Sequence, residues 1–308
     1  MLDVILLISP VFMLIALGVW ARQSGFVTDG FWQPAEKIGY WFLLPSLIID
    51  SLATNRLDGA AAGPFSLAII ITVVGLSAVL FAIRRWLPLP PPSFASVHQG
   101  TIRLNGLLAI AVCVALLGTE TLPLLAIMVA VWVPFSNGLS VYAYVLFGSE
   151  RPPSAFRIVL QVIKSPIIFS VFIGLALNWL GAGPFIDRFI LFELLGRAAL
   201  PLGLLAVGAA LNMNDLRHLG LPVVGTTIVK LIVMPLMMIG LCEWLDLPPI
   251  VAAVAIISAC MPSSPSGYMV ARNLNGDHVL MAGIITFQTA ASLVTATLFA
   301  TYAMGLLP

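Results

Sequence analysis

The chain has 308 residues, of which 60% are hydrophobic and only 9% are charged. A soluble protein carries about a quarter charged residues, so this composition excludes a water-soluble fold and makes membrane lipid the expected surrounding. Lys and Arg number 14 against 13 Asp and Glu, so the chain lacks the basic surplus that a nucleic-acid partner would need.

Ten apolar segments result when the chain is divided at its charges and at its Pro, Gly and Asn clusters. A helix needs about 20 mostly apolar residues to cross the hydrocarbon core. In chain order, the predicted spans cover residues 3–21, 34–54, 64–83, 97–118, 122–147, 158–180, 188–211, 220–243, 249–271 and 279–305. Asp3 precedes the first span and Arg22 follows it, which is the wrong polarity for a signal peptide. The sequence therefore predicts an all-α polytopic membrane protein with ten transmembrane helices.

The arginines of the connections indicate an orientation. The odd-numbered connections contain Arg22, Arg84, Arg85, Arg151, Arg157, Arg217 and Arg272, whereas the even-numbered ones contain only Arg56 and Arg188. By the positive-inside rule, the odd-numbered connections face the cytoplasm. We therefore expect a multi-pass protein of the cell membrane, of the bacterial inner-membrane kind, with both termini outside.

The two halves of the chain are similar when residues are compared at a constant shift of 156. The matched pairs are Ser9 and Ser165, Pro10 and Pro166, Gly18 and Gly174, Leu44 and Leu200, Pro45 and Pro201, and Ser136 and Ser292. Because proline is rare inside helices, these matches favour a repeat over a chance alignment of apolar residues. Each repeat, residues 1–150 and 156–308, contains five spans. Because five is an odd number, the second repeat enters the membrane from the opposite side and is inverted relative to the first. Inverted repeats are typical of transporters that work by alternating access.

The strongest local signal is a cluster of Pro and Ser in the middle of the ninth span. Two prolines three residues apart leave carbonyl groups without partners, which hydrocarbon tolerates only where protein or a wet cavity surrounds them. A kinked packing helix, with serines bonded to their own backbone, is the alternative. The residues predicted to break the helix and contact a solute are Pro262, Ser263, Ser264, Pro265 and Ser266.

The fourth span carries a matching irregularity, because Gly106 corresponds to Pro262 at the shift of 156. Asn105 before it is poor helix sequence, and a buried Asn needs partners for two donors and an acceptor. If both helices break near mid-membrane and cross, we expect their N-terminal halves to direct backbone donors and positive dipole ends to the centre, where an anion can bind. Arg103 either guides the anion or extends to the membrane interface.

Amide side chains lie at a similar depth in two further spans. Asn137 follows Pro134 and Ser136 in the fifth span, and Gln288 and Thr289 lie at the corresponding depth of the tenth. Amides inside a membrane need partners. We therefore expect Asn137 and Gln288 to line the crossing and to contact the substrate.

Charged residues inside the predicted spans are costly enough that each needs a reason. Away from the first and last few residues of the spans, they are Asp50, Lys164, Glu193, Arg197 and Lys230, besides Arg103. Glu193 and Arg197 are four residues apart on one helix and are predicted to pair. Lys230 is predicted to pair with Asp50 or a backbone carbonyl, or to supply positive charge to a substrate.

The sequence has none of the residue constellations that an intramembrane enzyme needs, such as facing aspartates, a His-Glu-x-x-His motif, or a serine with a histidine base at depth. His98, His218 and His278 lie at predicted cytoplasmic ends, and three scattered cysteines favour packing over metal binding. We therefore expect no enzymatic activity, no cofactor and no metal site. A passive channel and a membrane sensor of the same fold are the alternatives to a carrier.

Three runs of residues carry a resemblance to a known family. They are Gln99 through Arg103, Asn105 and Gly106; Ala199, Leu200 and Pro201 through Gly208 and Leu211; and Pro262 and Ser263 through Ala271, Asn275, Gly276 and Asp277. In these runs, and over its whole length, the chain resembles a bacterial member of the auxin efflux carrier family, which includes malonate carriers and plant PIN transporters.

The resemblance implies ten spans in two inverted five-helix repeats. It implies a scaffold of spans one, two, six and seven, and a transport domain of spans three to five and eight to ten, with broken, crossing helices four and nine. It also places the substrate carboxylate on Asn105 and on the break from Pro262 to Ser266. Many family members have a proline in the fourth-span break, whereas residues 106–111 contain none here. This break therefore rests on Asn105 and Gly106 alone, or it is shallower.

The expected function is secondary transport of small organic anions, either mono- or dicarboxylates that resemble auxin or malonate. The spans contain no carboxylate cluster of the kind that a sodium site would prefer. Gly18 and Gly174 could form a dimer face, so a homodimer is one candidate assembly. Replacing Asn105 with Ala is expected to abolish substrate binding and to leave the fold intact.

Overall fold

A computed structural model describes residues 1–55, 59–148, 166–211 and 220–307 of the chain. The regular structure in these ranges is helical. Seven helical stretches are long and apolar enough to cross a membrane: Leu2–Gln23, Ala61–Trp86, Pro91–Leu117, Thr119–Phe147, Leu191–Ala210, Leu221–Trp244 and His278–Met304. The protein is therefore an all-α, multi-pass membrane protein. Several residues used above lie outside the described ranges, namely Arg56, Arg151, Arg157, Lys164, Ser165, Arg217 and His218.

The first half of the chain contains seven α-helices. They are α1 (Leu2–Gln23), α2 (Asp29–Ile38), α3 (Leu44–Thr54), α4 (Gly59–Ile83), α5 (Pro91–Ile102), α6 (Gly106–Leu117) and α7 (Leu122–Phe147). A π-helical turn, Gly39–Leu43, joins α2 to α3 without a gap. A short 3₁₀ turn, Arg84–Trp86, follows α4.

The described part of the second half contains eight α-helices. They are α8 (Pro166–Trp179), α9 (Gly183–Arg188), α10 (Leu191–Ala210), α11 (Leu221–Ile228), α12 (Met234–Trp244), α13 (Pro249–Ala259), α14 (Ser266–Asn273) and α15 (His278–Met304). A second π-helical turn, Val229–Val233, joins α11 to α12.

Both π-helical turns end two residues before a proline. Leu43 precedes Pro45 in this way, and Val233 precedes Pro235. A proline inside a helix removes one hydrogen bond, and its ring clashes with the carbonyl four residues earlier. A wider turn moves that carbonyl away from the ring, so the helix continues past the proline.

The helices pack in two groups. In the first group α1 packs on α10, and α3 packs on α8 and α10. In the second group α7 packs on α4 and α5, and α15 packs on α5, α11, α13 and α14. The two groups meet where α6 contacts α1 and α10, and where α7 contacts α3 and α8.

Two glycines lie at close helix contacts in the first group. A Cβ atom at Gly18 would collide with the backbone of Leu205, and one at Gly174 would lie 2.8 Å from Cβ of Leu52 and 3.4 Å from Cα of Ile49. Both glycines therefore pack inside the chain. The expectation that they form a dimer face is wrong, and the homodimer itself stays a prediction.

Helix positions recur at the shift of 156 residues. Moved by this shift, α7 covers residues 278–303, and α15 is His278–Met304. Moved in the same way, α3 ends at residue 210, where α10 also ends. Leu205 is the counterpart of Ile49 at this shift, so the α1–α10 contact at Gly18 is equivalent to the α8–α3 contact at Gly174.

Candidate functional site

The fourth predicted span is broken between α5 and α6. α5 ends at Ile102, residues 103–105 are not helical, and α6 begins at Gly106. Asn105 is the N-cap of α6, and its side-chain oxygen accepts a hydrogen bond from the backbone N–H of Leu108 at 3.2 Å. Asn is among the best N-cap residues because it satisfies a donor that has no partner within the helix. The break therefore forms without a proline.

The ninth predicted span is broken between α13 and α14. α13 ends at Ala259 and α14 begins at Ser266. Pro262 and Pro265, which lie between them, have no N–H group to donate to the preceding turn, so the helix cannot continue through them. Burial decreases along the break, from buried Pro262 and Ser263 through half-buried Ser264 and Pro265 to exposed Ser266.

The two breaks are in direct contact. The backbone N–H of Asn105 donates to the carbonyl of Pro262 at 2.8 Å. Arg103 Nη2 donates to Ser266 Oγ at 2.9 Å, and this oxygen lies 3.0 Å from Ser264 Oγ. We call this region, residues 103–106 and 260–266, the crossover. The structure thus brings together the residues that were predicted for the site in the fourth and ninth spans.

Four helix ends meet at the crossover. α5 and α13 end there, with the carbonyl groups and the negative ends of their dipoles. α6 and α14 begin there, with backbone N–H groups and positive dipole ends. The expectation that the N-terminal halves of the two spans supply the donors is wrong, because a helix exposes free N–H groups only at its own N-terminus. The donors belong to the C-terminal halves, α6 and α14.

Side chains of α7 and α15 satisfy backbone groups at the two breaks. Gln288, fully buried on α15, donates from Nε2 to the Gly100 carbonyl at 3.0 Å and accepts at Oε1 from the Ser263 N–H at 2.9 Å. Trp132 on α7 donates from Nε1 to the Ile102 carbonyl at 3.0 Å. These bonds supply the partners that a broken backbone needs inside a membrane. The sequence interpretation missed Trp132, because a tryptophan in an apolar helix is indistinguishable from a packing residue.

Arg103 places a positive charge at the crossover. Its guanidinium contacts the hydroxyl of Ser266 on α14, which favours a role at the crossover over an extension to the membrane interface. Within the described ranges no carboxylate lies at ion-pair distance from Arg103. The charge is therefore balanced by neutral groups alone, and an anion could pair with it.

Two buried polar atoms at the crossover have no hydrogen-bond partner among the residues that the structure describes. They are Asn105 Nδ2 and Ser263 Oγ. Asn105 is 2% exposed and Ser263 is fully buried. Leaving a buried polar group without a partner costs about 1–3 kcal/mol. Both groups can donate hydrogen bonds, and a carboxylate, which only accepts them, would satisfy both.

A cavity of about 720 Å³ reaches the crossover between the two groups of helices. One wall is formed by the ends of α1 and α10 and by α2, and the other by α14 and the start of α15. The cavity extends from Pro265 and Ser266 to Arg22 and Arg272. The two arginines belong to connections that are predicted to be cytoplasmic, so the cavity leads from the crossover towards that side.

Lys230 is fully buried in the π-helical turn before α12. Its Nζ contacts Met234 Sδ at 3.0 Å and lies 5.1 Å from the centre of the Trp132 ring. The predicted pairing with Asp50 or a backbone carbonyl is wrong, since neither is among the contacts of Nζ in the described part of the chain. An aromatic face stabilises a cation. Lys230 therefore lies beside the Trp132 ring, which bonds to the end of α5.

Three other predicted polar residues form a group of their own. Glu193 and Arg197 form the predicted ion pair on α10, and Asp50 on α3 lies within electrostatic reach of both. Asn137 is half-buried on α7, and within the described ranges no hydrogen bond joins it to the crossover. Of the two amides predicted to line the crossing, Gln288 is hydrogen-bonded to it, and the role of Asn137 stays a prediction.

Two comparisons show which known proteins the chain resembles. A family model described as membrane transport protein matches residues 144–300, just over half of the chain. A protein of Methanothermobacter thermautotrophicus, described as an uncharacterized transporter, is 26% identical over 298 residues. This match covers 95% of the chain and 96% of the relative. The family match includes the whole ninth-span break and Gln288.

Proposed function

Because the chain belongs to the membrane transport protein family, the family of the auxin efflux carriers, we propose that it is a secondary transporter of small organic anions. Membership of a transporter family favours a transporter over an enzyme. The proposed substrates are mono- or dicarboxylates of the malonate or auxin kind, as the resemblance implies. The proposed location is the cell membrane, with both termini outside.

The observation that carries the proposal is the set of unused donors at the crossover. Asn105 Nδ2 is buried without a partner among the described residues, two positions after an arginine that pairs with no described carboxylate. The positive ends of α6 and α14 point to the same place. A carboxylate bound there would accept hydrogen bonds from Asn105 and Ser263 and would neutralise Arg103.

The proposed architecture is ten spans in two inverted five-helix repeats. The equivalent contacts at Gly18 and Gly174 support it, as do the helix positions that recur at the shift of 156 residues. We assign spans one, two, six and seven, which are α1, α2–α3, α8 and α10, to a scaffold. The other spans form a transport domain that carries the crossover. The packing of the helices in two groups supports this division.

The proposed mechanism is alternating access. The cavity lies between scaffold helices on one wall and transport-domain helices on the other, and it reaches the crossover from the predicted cytoplasmic side. This arrangement suits an inward-facing state. Movement of the transport domain along the scaffold would close the cavity and open the crossover to the other side.

The transport proposal is tested by exchange in proteoliposomes. We expect saturable uptake of labelled malonate, or of another acid from a panel of small mono- and dicarboxylates, into vesicles preloaded with the same compound. Sodium and pH gradients are varied separately to identify the coupling. Flux that does not saturate and ignores the preloaded acid would favour a channel, and lack of flux with folded protein would favour a sensor or another substrate.

The site is tested with two substitutions at Asn105. Asn105→Ala removes the helix cap and the amide donor. Asn105→Ser keeps a capping oxygen but loses the amide NH2 group, and its hydroxyl proton lies on a side chain that is one bond shorter. We expect both variants to bind the acid at least about tenfold more weakly, which corresponds to the loss of one charge-assisted hydrogen bond. Only Asn105→Ala should lose about 1 kcal/mol of stability. Normal binding by Asn105→Ser, measured with labelled acid in detergent, would show that the substrate does not bind at Asn105.

A further inference from the structure

A chain of hydrogen bonds extends from Arg103 to buried side chains of α5 and α7. Gln99, one turn earlier on α5, is fully buried, and Tyr144 on α7 is 2% exposed. The Tyr144 hydroxyl lies 2.6 Å from the amide of Gln99 and 3.3 Å from Ser96 Oγ. These contacts connect α5 to α7 next to the guanidinium.

The orientation of the Gln99 amide follows from its neighbours. With its oxygen directed at Arg103, the amide accepts from Nη1 at 3.1 Å. Its nitrogen then donates to the Tyr144 hydroxyl at 2.6 Å and to the Gly267 carbonyl at 3.3 Å. The opposite orientation would place the amide nitrogen against the guanidinium, which has only donors. Gln99 therefore holds Arg103 from one side while Ser266 holds it from the other.

Two glycines give this arrangement its space. A Cβ atom at Gly276 would collide with the ring of Tyr144. A Cβ atom at Gly267 would lie 2.6 Å from Met281 Cε and 3.7 Å from both Arg103 Cδ and, in this orientation, the amide oxygen of Gln99. The start of α14 and the segment after it therefore close around the Tyr144–Gln99–Arg103 chain.

We infer that Gln99 and Tyr144 are a positioning pair that aims the guanidinium of Arg103 at the crossover. An arginine has a long, flexible side chain, and ordering it only when the substrate binds would cost affinity. Gln99 fixes one side of the fork, and Tyr144 fixes Gln99. The inference rests on the proposed function, in which Arg103 binds the substrate anion.

The test uses Gln99→Glu, which keeps nearly the same shape. It replaces the amide NH2 group, which donates hydrogen bonds, with a carboxylate oxygen, which accepts them. The new carboxylate would pair with the guanidinium of Arg103 and compete with the substrate for its charge. The Tyr144 hydroxyl, which accepts from the amide of Gln99, would instead donate to the carboxylate. We expect the half-saturation concentration for acid exchange to rise by about tenfold or more, with the maximal rate changed far less. Tyr144→Phe removes only the hydroxyl that bonds to Gln99, so it should raise the half-saturation concentration by about threefold.

The matched control is Tyr142→Phe, because Tyr142 lies on the same helix but is 51% exposed. It should leave the half-saturation concentration unchanged. A purely structural role would lower the melting temperature and the amount of folded protein in Gln99→Glu without raising half-saturation, and this result would overturn the inference. If Gln99→Glu fails to fold, Gln99→Leu and Tyr144→Phe provide the same comparison.

The Asn105 variants separate a failure of this inference from a failure of the proposed site. If Asn105→Ser weakens binding and Gln99→Glu does not, the substrate binds at the crossover and the positioning role is wrong. If neither substitution weakens binding, the crossover is not the substrate site.

Discussion

The two broken helices reach similar geometry with different residues. The ninth-span break contains two prolines and three serines, whereas residues 103–105 in the fourth span are Arg, Leu and Asn. Proline prevents a helix wherever the segment lies, because it has no N–H to donate. Arg and Leu are good helix formers. The ninth-span break is therefore intrinsic to its sequence, and the fourth-span break depends on tertiary contacts.

The contacts that hold the fourth-span break come from the ninth-span break, from α15 and from α7. The Pro262 carbonyl accepts from Asn105, Gln288 bonds to the Gly100 carbonyl, and Trp132 bonds to the Ile102 carbonyl. The dependence is asymmetric, since the prolines of the ninth span need no partner to end α13. Substitutions that remove these contacts should therefore disturb α5 and α6 more than α13 and α14.

The largest effect on stability is expected from Gln288→Leu, because Gln288 bonds to both breaks. The substitution leaves the Gly100 carbonyl and the Ser263 N–H buried without a partner. Each such group costs about 1–3 kcal/mol. We expect the free energy of unfolding to fall by about 2–4 kcal/mol, as measured by denaturant titration in mixed micelles.

The control for Gln288 is its neighbour Thr289, also buried on α15. Its hydroxyl bonds only to the Ile285 carbonyl of its own helix, at 2.8 Å. Thr289→Val should therefore change the free energy of unfolding by less than about 0.5 kcal/mol. An equal loss in both variants would show that this part of α15 is sensitive to packing and that the bridge between the breaks contributes nothing special.

A smaller and more selective effect is expected from Trp132→Phe. Phenylalanine keeps most of the ring and loses the bond from Nε1 to the Ile102 carbonyl, which should cost about 1 kcal/mol. Hydrogen exchange should increase at residues 103–108 and stay unchanged at residues 260–268. Equal increases at both breaks would contradict the asymmetric dependence. Trp244→Phe, at an exposed tryptophan that ends α12, is the control.

The sequence predicts what local composition determines. The apolar segments, the poor helix sequence at Asn105 and Gly106, and the proline break at Pro262 are read from neighbouring residues alone. Trp132, Gln99 and Tyr144 could not be found in this way, because their partners are a carbonyl, a guanidinium and an amide on other helices or one turn away. The same limit explains a pairing that was predicted wrongly.

Lys230 is the example of that wrong pairing. Its sequence position suggests a carboxylate or carbonyl partner, yet the structure surrounds Nζ with the ring of Trp132 and the sulfur of Met234. An aromatic ring and a thioether are neutral, so these partners of Lys230 cannot be recognised from the charged residues of the sequence. The contact can therefore be found only once α7 and the π-helical turn before α12 are placed side by side.

The smallest effect is expected from Gly106→Pro, which gives the fourth-span break the residue that it lacks. Gly106 is the first residue of α6, a position where the missing N–H of proline removes no helical bond and its fixed φ suits the helix. Asn105 is already extended, as a residue before proline prefers. A Cβ atom at Gly106 would lie 3.3 Å from Val129 Cγ2, so a small shift is required.

We therefore expect Gly106→Pro to change the free energy of unfolding by less than about 0.5 kcal/mol and to leave acid binding within about twofold. Ala109→Pro is the contrast, because the Ala109 N–H donates to the Asn105 carbonyl at 3.0 Å and its loss should cost about 3 kcal/mol. If Gly106→Pro keeps its stability and loses binding, the N–H of Gly106 is itself a substrate donor. The two breaks would then differ in how they bind the anion as well as in how they form.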